Sequence, residues 1–312
     1  MLRSLFTGIA GLQAHQNMLD VTSNNIANVN TTGFKSSSTV FEDTLSQTIT
    51  GGGAPSAQLG GTNATQVGLG VQLAATNLNF TQGSNQATGV ASNMLINGDG
   101  FFTVAKDGKD FFTRAGAFTI DSQGHLVSPD GGIVQGWLLD ATGNSVNGAA
   151  ATAADVDTPP GVPSTLNAAG TAYTDPADAG ANPPKSLELT SLNNGTYVSY
   201  SISPDGTVNG VDAAGATTAI AKISLSTFTN PNGLSKSGDS DYLPTASSGQ
   251  PILGTAGTGG LGTITSGYIE MSNVNLAQEL TNLIISERGF QANSKVITTS
   301  DDILQTLVNL KQ

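Results

Sequence analysis

Residues 275–310 read NLAQELTNLIISERGFQANSKVITTSDDILQTLVNL, and within them Leu276, Leu283, Phe290, Ile297 and Leu304 fall seven positions apart. Leu280, Ile284, Ile303, Leu307 and Leu310 widen the stripe. A seven-residue apolar repeat is coiled-coil spacing, because it keeps one seam on one face of a helix. The opposite end of the chain carries the same period in Leu5, Leu12, Leu19 and Ile26, with Leu2 and Ile9 beside them. Two heptad helices at the two ends predict that they pair, within or between subunits. Everything between them then forms a separate body.

Composition narrows the class. A chain of 312 residues can hold two compact units. Charged residues are only 11% of it, against about 25% in ordinary globular domains. The surface must therefore be rich in uncharged polar groups, which repel a copy of the same chain weakly. The net charge is -12 and the eleven basic residues are scattered, so no basic stripe is available for phosphates and nucleic acid is not an expected partner. The absence of cysteine excludes a disulfide framework and a thiolate metal site. Gln13, His15, Gln16 and Asn17 interrupt any apolar run near the N-terminus, so ordinary signal-peptide export is not predicted. No window approaches the ~18 apolar residues of a membrane span, and membrane insertion is not expected.

Along the chain, a first helix is predicted from Arg3 to Ala27, ending where Asn24, Asn25, Asn28 and Asn30 gather ahead of Thr31-Thr32-Gly33. Away from its leucines the helix carries Gly8, Gly11, Gln13 and Asn17 rather than Lys and Glu, as expected of a helix with neighbours on several sides. Phe41 and Leu45 are spaced to meet on one turn of helix. Residues 35–70 then read as an extended arm, being rich in Gly, Ala, Thr and Gln from Ile49 to Gly70. From Val71 the period becomes two, with short strand candidates such as Val71-Gln72-Leu73, Phe101–Val104 and Phe118-Thr119-Ile120, separated by turns such as Asp107-Gly108 and Asp130-Gly131. The pattern resumes at Tyr197–Ile202 and Ala219–Leu225. The β-domain is accordingly expected at 71–140 and 191–243, interrupted by a variable insertion at 141–190 that is either a loop or a small outer domain. Few large aliphatics lie in that insertion. A second Gly-rich arm is expected at 244–270, and the inner helical domain at 1–34 and 271–312.

The sequence carries no pattern for catalysis or metal binding. His15 and His125 are the only histidines, and no paired acidic motif stands at metal spacing, so no metal or cofactor is expected. Gly98-Asp99-Gly100 is not followed by a helix, so a phosphate cradle has no basis and a tight hairpin or bulge explains it. No serine has a plausible base, and the chain is not expected to be an enzyme.

The run SNNIANVNTTGFK at 23–35 resembles the signature of the flagellar rod and hook proteins, as do GYIEMSNVNL at 267–276 and ERGFQANSK at 287–295 near the other end. GDGFF at 98–102 is similar to the same family's central β-domain. The resemblance implies an α+β fold in which the two terminal helices form a coiled-coil-like inner domain and a discontinuous all-β domain lies outside. It also implies that the protein polymerises. The assembly interface would include Leu5, Ile9, Leu12, Leu19, Ile26, Leu276, Leu280, Leu283, Phe290, Ile297, Leu304 and Leu307, and the family motif Asn24, Asn25, Ala27, Asn28, Thr32, Gly33, Phe34 and Lys35. Phe41 and Leu45 resemble the family's export-recognition spacing, an alternative to the helical turn. The implied role is the tubular hook that joins rod to filament and transmits torque. Its partners would be itself, the rod, the hook cap, the hook-filament junction proteins and the export apparatus, and its location outside the cell after export through the flagellar channel. A distal rod protein shares both terminal motifs and is the alternative. A secreted glycan-binding adhesin would need aromatic platforms, yet Trp137 is the only tryptophan.

Overall fold

Helix α1 (Leu2–Ala27) and helix α2 (Leu276–Asn309) stand at the two ends of the chain, in a computed structural model that describes residues 2–55, 60–139, 184–187, 189 and 197–310. Asn275 caps α2, its side-chain oxygen accepting from the amides of Ala277 at 3.1 Å and Gln278 at 3.3 Å, and Glu279 in the first turn favours the positive end of the helix dipole. The fold is α+β, with terminal helices flanking a largely β chain. It divides into two compact units, one of Met1–Val29, Ser36–Asn79 and Val274–Gln312, the other of Asn30–Lys35 and Phe80–Asn273.

In the helical unit, strands β1 (Ser37–Asp43), β2 (Ser46–Thr50), β3 (Thr65–Gly68) and β4 (Val71–Leu78) follow α1. β1 pairs antiparallel with β4, placing Ser37 opposite Leu78 and Asp43 opposite Val71, and β2 pairs with β3 in a hairpin. These pairings correct two expectations. Residues 35–70 are strand-bearing rather than a plain arm, and Val71–Leu78 pairs with β1 in the helical unit instead of joining the β-domain. A period of two marks a strand but does not choose its partner. Here Ser37–Asp43 supplies it.

The second unit holds sixteen strands among its described residues. They are β5 (Asn85–Ala87), β6 (Met94–Asn97), β7 (Phe101–Lys106), β8 (Lys109–Thr113), β9 (Thr119–Ile120), β10 (Leu126–Val127), β11 (Ile133–Leu138) and β12 (Lys185–Ser186). After them come β13 (Ser199–Ile202), β14 (Thr207–Val211), β15 (Thr217–Thr227), β16 (Ser235–Gly238), β17 (Asp241–Leu243), β18 (Ile252–Thr255), β19 (Thr263–Ser266) and β20 (Tyr268–Glu270). The eleven-residue β15 pairs with β14, β11, β7 and β18, which curls the sheet around a core of Phe102, Val104, Phe118, Val134, Ile223 and Leu225. A second cluster of Phe80, Phe101, Phe112, Phe228 and Tyr242 packs edge to face, the arrangement ring quadrupoles favour.

Two boundaries move. Leu253, Ala256, Leu261 and Ile264 are buried, while β19 pairs with β6 and β20 with β5. The expected arm at 244–270 is thus part of the β-body, its glycines admitting close approach: a Cβ on Gly262 would lie 2.4 Å from the Asn97 carbonyl oxygen. Leu187 and Leu189, assigned above to the insertion, are also in the core. Residues 141–183, including Val146, Val156, Val162 and Leu166, lie outside the described residues, as do 188, 190 and 56–59.

Asp241, on β17, is almost buried. Burial, reinforced by the neighbouring Asp130 carboxylate, pushes its pKa up to about 7. Since this folded value exceeds the ordinary 3.8, its contribution to stability is fully present below 3.8 and is lost as pH rises through about 7. Comparing urea midpoints of the natural chain and Asp241→Asn from pH 4 to 8 should show the variant gaining relative stability across that interval. A constant difference would contradict the shift.

Candidate assembly site

The two helices lie antiparallel, since Ser4 Oγ is 3.4 Å from Ser300 Oγ near one end of the pair and Asn25 Nδ2 donates to Glu279 Oε1 at 3.1 Å near the other. Between these points the seam is made of small and polar residues. A Cβ on Gly8 would lie 3.1 Å from the Ile297 side chain, one on Gly11 2.8 Å from the Asn293 amide, and one on Gly289 2.3 Å from the His15 ring. Ser286 and Ser300 are the buried residues of α2, each returning its hydroxyl to a carbonyl one turn back, Asn282 at 2.7 Å and Val296 at 2.8 Å. The closest approach therefore runs through Ser4, Gly8, Gly11, His15 and Asn25, beside the leucine heptad rather than along it. Glycines explain the shift, because backbones approach most closely where no side chain intervenes.

The apolar stripe is consequently left largely open. Leu276, Leu280, Phe290 and Leu307 are 39–47% exposed, Ile284 is 56% exposed, and Ile9 and Phe6 on α1 are 51% and 67% exposed. Leu5, Leu12, Leu19, Ile26, Leu283, Ile297 and Leu304 are half-buried along its edge. So dense an array of uncovered aliphatics is uncommon on a free subunit.

The run at 23–35 has separate structural duties. Asn28 donates from its amide at 3.2 Å and from Nδ2 at 2.9 Å to the Asn24 carbonyl, closing α1 just past Ala27. Asn25, 1% exposed, accepts from the Ser37 amide at 3.0 Å and donates to the Ser37 carbonyl at 2.8 Å. One side chain thus holds α1 against β1 and α2. Replacing it by alanine should cost about 1–3 kcal/mol, the range for an unmet buried polar group, and lower the melting temperature of the helical signal in circular dichroism. An unchanged melting curve would remove Asn25 from this role.

Thr32, Gly33, Phe34 and Lys35 belong to the β-body. The Thr32 carbonyl accepts from Ser240 Oγ at 3.3 Å, and Phe34 lies under Lys236 Nζ, 4.4 Å from the ring centroid. Gly33 has φ +68° and donates to the Glu270 carbonyl at 2.8 Å. Lys35 is wholly buried, its Nζ donating to Glu270 Oε1 at 2.6 Å and to the Thr81 carbonyl at 2.8 Å. Glu270 Oε1 also accepts from the Gly83 amide at 2.8 Å, and Oε2 faces Arg114 Nη1 at 3.5 Å. Arg114 Nη2 donates to the Gly98 carbonyl at 2.9 Å, and its guanidinium stands 5.5 Å from the Phe101 ring centroid. Burial draws both cations below their ordinary pKa ranges although Glu270 opposes it.

Sequence reasoning missed Arg114 and Glu270. The one signal was Glu270 standing as a single acid in an apolar and polar run. Phe41 and Leu45 form no helical turn: Phe41 lies in β1, half-buried opposite Leu73, and Leu45 beyond it is 84% exposed. The strand forms because Thr39 and Val40 are β-branched and β4 supplies a partner. Trp137 is fully buried and offers no platform for a glycan. Among the described residues no metal-ligating cluster occurs, and no helix is long and apolar enough to cross a membrane.

A helix pair that turns its small residues inward and its aliphatics outward defines a subunit of a larger assembly. Comparison with known proteins agrees. Residues 5–35 match the family model for the flagella basal body rod protein, 95–210 that for the flagellar hook protein FlgE/F/G D1 domain, and 265–310 that for the flagellar basal body rod FlgEFG protein C-terminal region. The flagellar hook protein FlgE of Borreliella burgdorferi is 33% identical over 442 aligned positions, and the flagellar basal-body rod protein FlgG of Bacillus subtilis 40% over 313, each covering 100% of both chains. FlgE of Helicobacter mustelae is 51% identical over 148 residues, 46% of this chain and 33% of that one. The chain belongs to the flagellar hook and rod protein family, structural components of the bacterial flagellar axis.

Proposed function

We propose that the protein is the subunit of the flagellar hook, polymerising through the outward faces of α1 and α2 into the tube that joins rod to filament and transmits torque. The observation that carries this reading is the uncovered stripe on α1 and α2, which gains its burial when copies meet. At about 25 cal/mol per Å² of apolar surface removed from water, repeated in every subunit, such burial drives assembly. The 51% identity to a hook protein over 148 residues favours hook over rod. The same reading has the chain exported through the flagellar channel, working outside the cell, and meeting the rod, the hook cap and the junction proteins. Phe41 and Leu45 would then serve export recognition, a role to which the exposure of Leu45 is suited.

The distal rod is the second reading. It is favoured by the alignment to a rod-named relative, in which 313 positions cover both chains, whereas alignment to a hook-named one needs 442. Deleting the gene and imaging purified basal bodies separates the two. A complete rod without a hook supports the first, and a truncated rod overturns it.

A further inference from the structure

We propose that Lys35, Glu270 and Arg114 form a latch through which three separate lengths of chain, 30–35, 80–83 and 270–273, open and close as one unit. Every point at which the chain passes from one compact unit to the other borders one of these segments. All three converge on one carboxylate. Lys35 reaches it from the first segment and carries the Thr81 carbonyl of the second with it, while the Gly83 amide binds the same Oε1. Backbone and side-chain bonds double the ties: Gly33 to the Glu270 carbonyl, Asn273 to the Phe34 carbonyl, Asn273 Nδ2 to the Thr81 carbonyl at 3.0 Å, and, one residue past the second segment, Met271 to the Ser84 carbonyl.

The chemistry makes the opening cooperative. A neutral hydrogen bond can be lost singly, but withdrawing 30–35 or 270–273 splits the buried Lys35–Glu270 pair, and withdrawing 80–83 takes the Thr81 carbonyl from Lys35 and the Gly83 amide from Glu270, so each leaves a buried charge under-satisfied in a site walled by Phe101 and Tyr242. Such a charge costs far more than the bond itself. The segments therefore either remain together or leave together, and tension applied at one is borne by all three. This inference holds whether the assembly is a hook or a rod.

Amide hydrogen exchange on the full-length monomer tests it. In the natural chain the amides of Gly33, Gly83 and Met271 should share one opening constant, larger than that of the β7 and β8 amides. Glu270→Gln should accelerate all three by a common factor of about a hundred, as expected when one partner of a buried pair is removed, with β7 and β8 still slower. Should that variant not fold, Glu270→Asp retains the charge and should show the same common acceleration at about tenfold. Acceleration of Gly83 alone, three unequal factors, or an equal change throughout β7 and β8 would each overturn the latch.

Discussion

Ile284→Asp is expected to abolish polymerisation while leaving the subunit folded. Ile284 is 56% exposed on α2, so a carboxylate there meets water in the free chain and little changes. In an assembly that covers the stripe, the same group would be buried without a partner. The loss combines roughly 1.5–3 kcal/mol of apolar burial with several more for the stranded charge, and it recurs in every subunit. Monomer circular dichroism and Trp137 fluorescence should match the natural chain, and electron microscopy should find no tubes. Glu287→Lys, at an exposed position whose carboxylate touches only Gln291 at 3.1 Å, is the control and should still assemble. Tubes of normal form from Ile284→Asp would remove α2 from the interface.

Gly33→Ala should be strongly destabilising although it adds a single methyl group. The residue sits at φ +68°, a conformation costing about 1–3 kcal/mol for a residue with a side chain. The added methyl would lie 2.4 Å from the Ala115 amide nitrogen and 2.6 Å from its Cα. Those are backbone atoms, so no side-chain rotation relieves the clash. Straightening the chain instead removes the Gly33 bond to the Glu270 carbonyl. We expect a loss of at least about 2–3 kcal/mol, seen as a lower urea midpoint in the fluorescence of Trp137, the only tryptophan and fully buried in the β-body. An unchanged midpoint would show that the loop can reform around alanine.

The terminal helices were legible because a seven-residue repeat is local and needs no partner to be seen. Which face closes the pair was not. Leucines dominate any count of hydrophobicity, yet the approach of α1 to α2 is set by Gly8, Gly11 and Gly289, whose contribution is the absence of a side chain. The strands at 101–113 and 197–225 were legible from alternation and Asp-Gly turns. Ile252–Glu270 was not, since its strands are three or four residues long and its glycines resemble those of a linker until Leu253 and Leu261 are seen to be buried. The ion cluster joins residues 35, 114 and 270, and no local pattern connects positions so distant in sequence. Motif resemblance pointed to Lys35 without giving the reason.

The β2–β3 hairpin carries a further consequence. Its strands, Ser46–Thr50 and Thr65–Gly68, are exposed at every position and contain no charged residue. Natural sheets usually blunt such an edge with lysine, proline or a cover. An open, neutral ribbon can zip onto whichever extended segment reaches it first, including its twin on a stray molecule. Concentrated stocks of purified subunit should therefore drift toward strand-exchanged aggregates with time. A single lysine at Thr48 would act as a gatekeeper, lengthening shelf life without touching either helix.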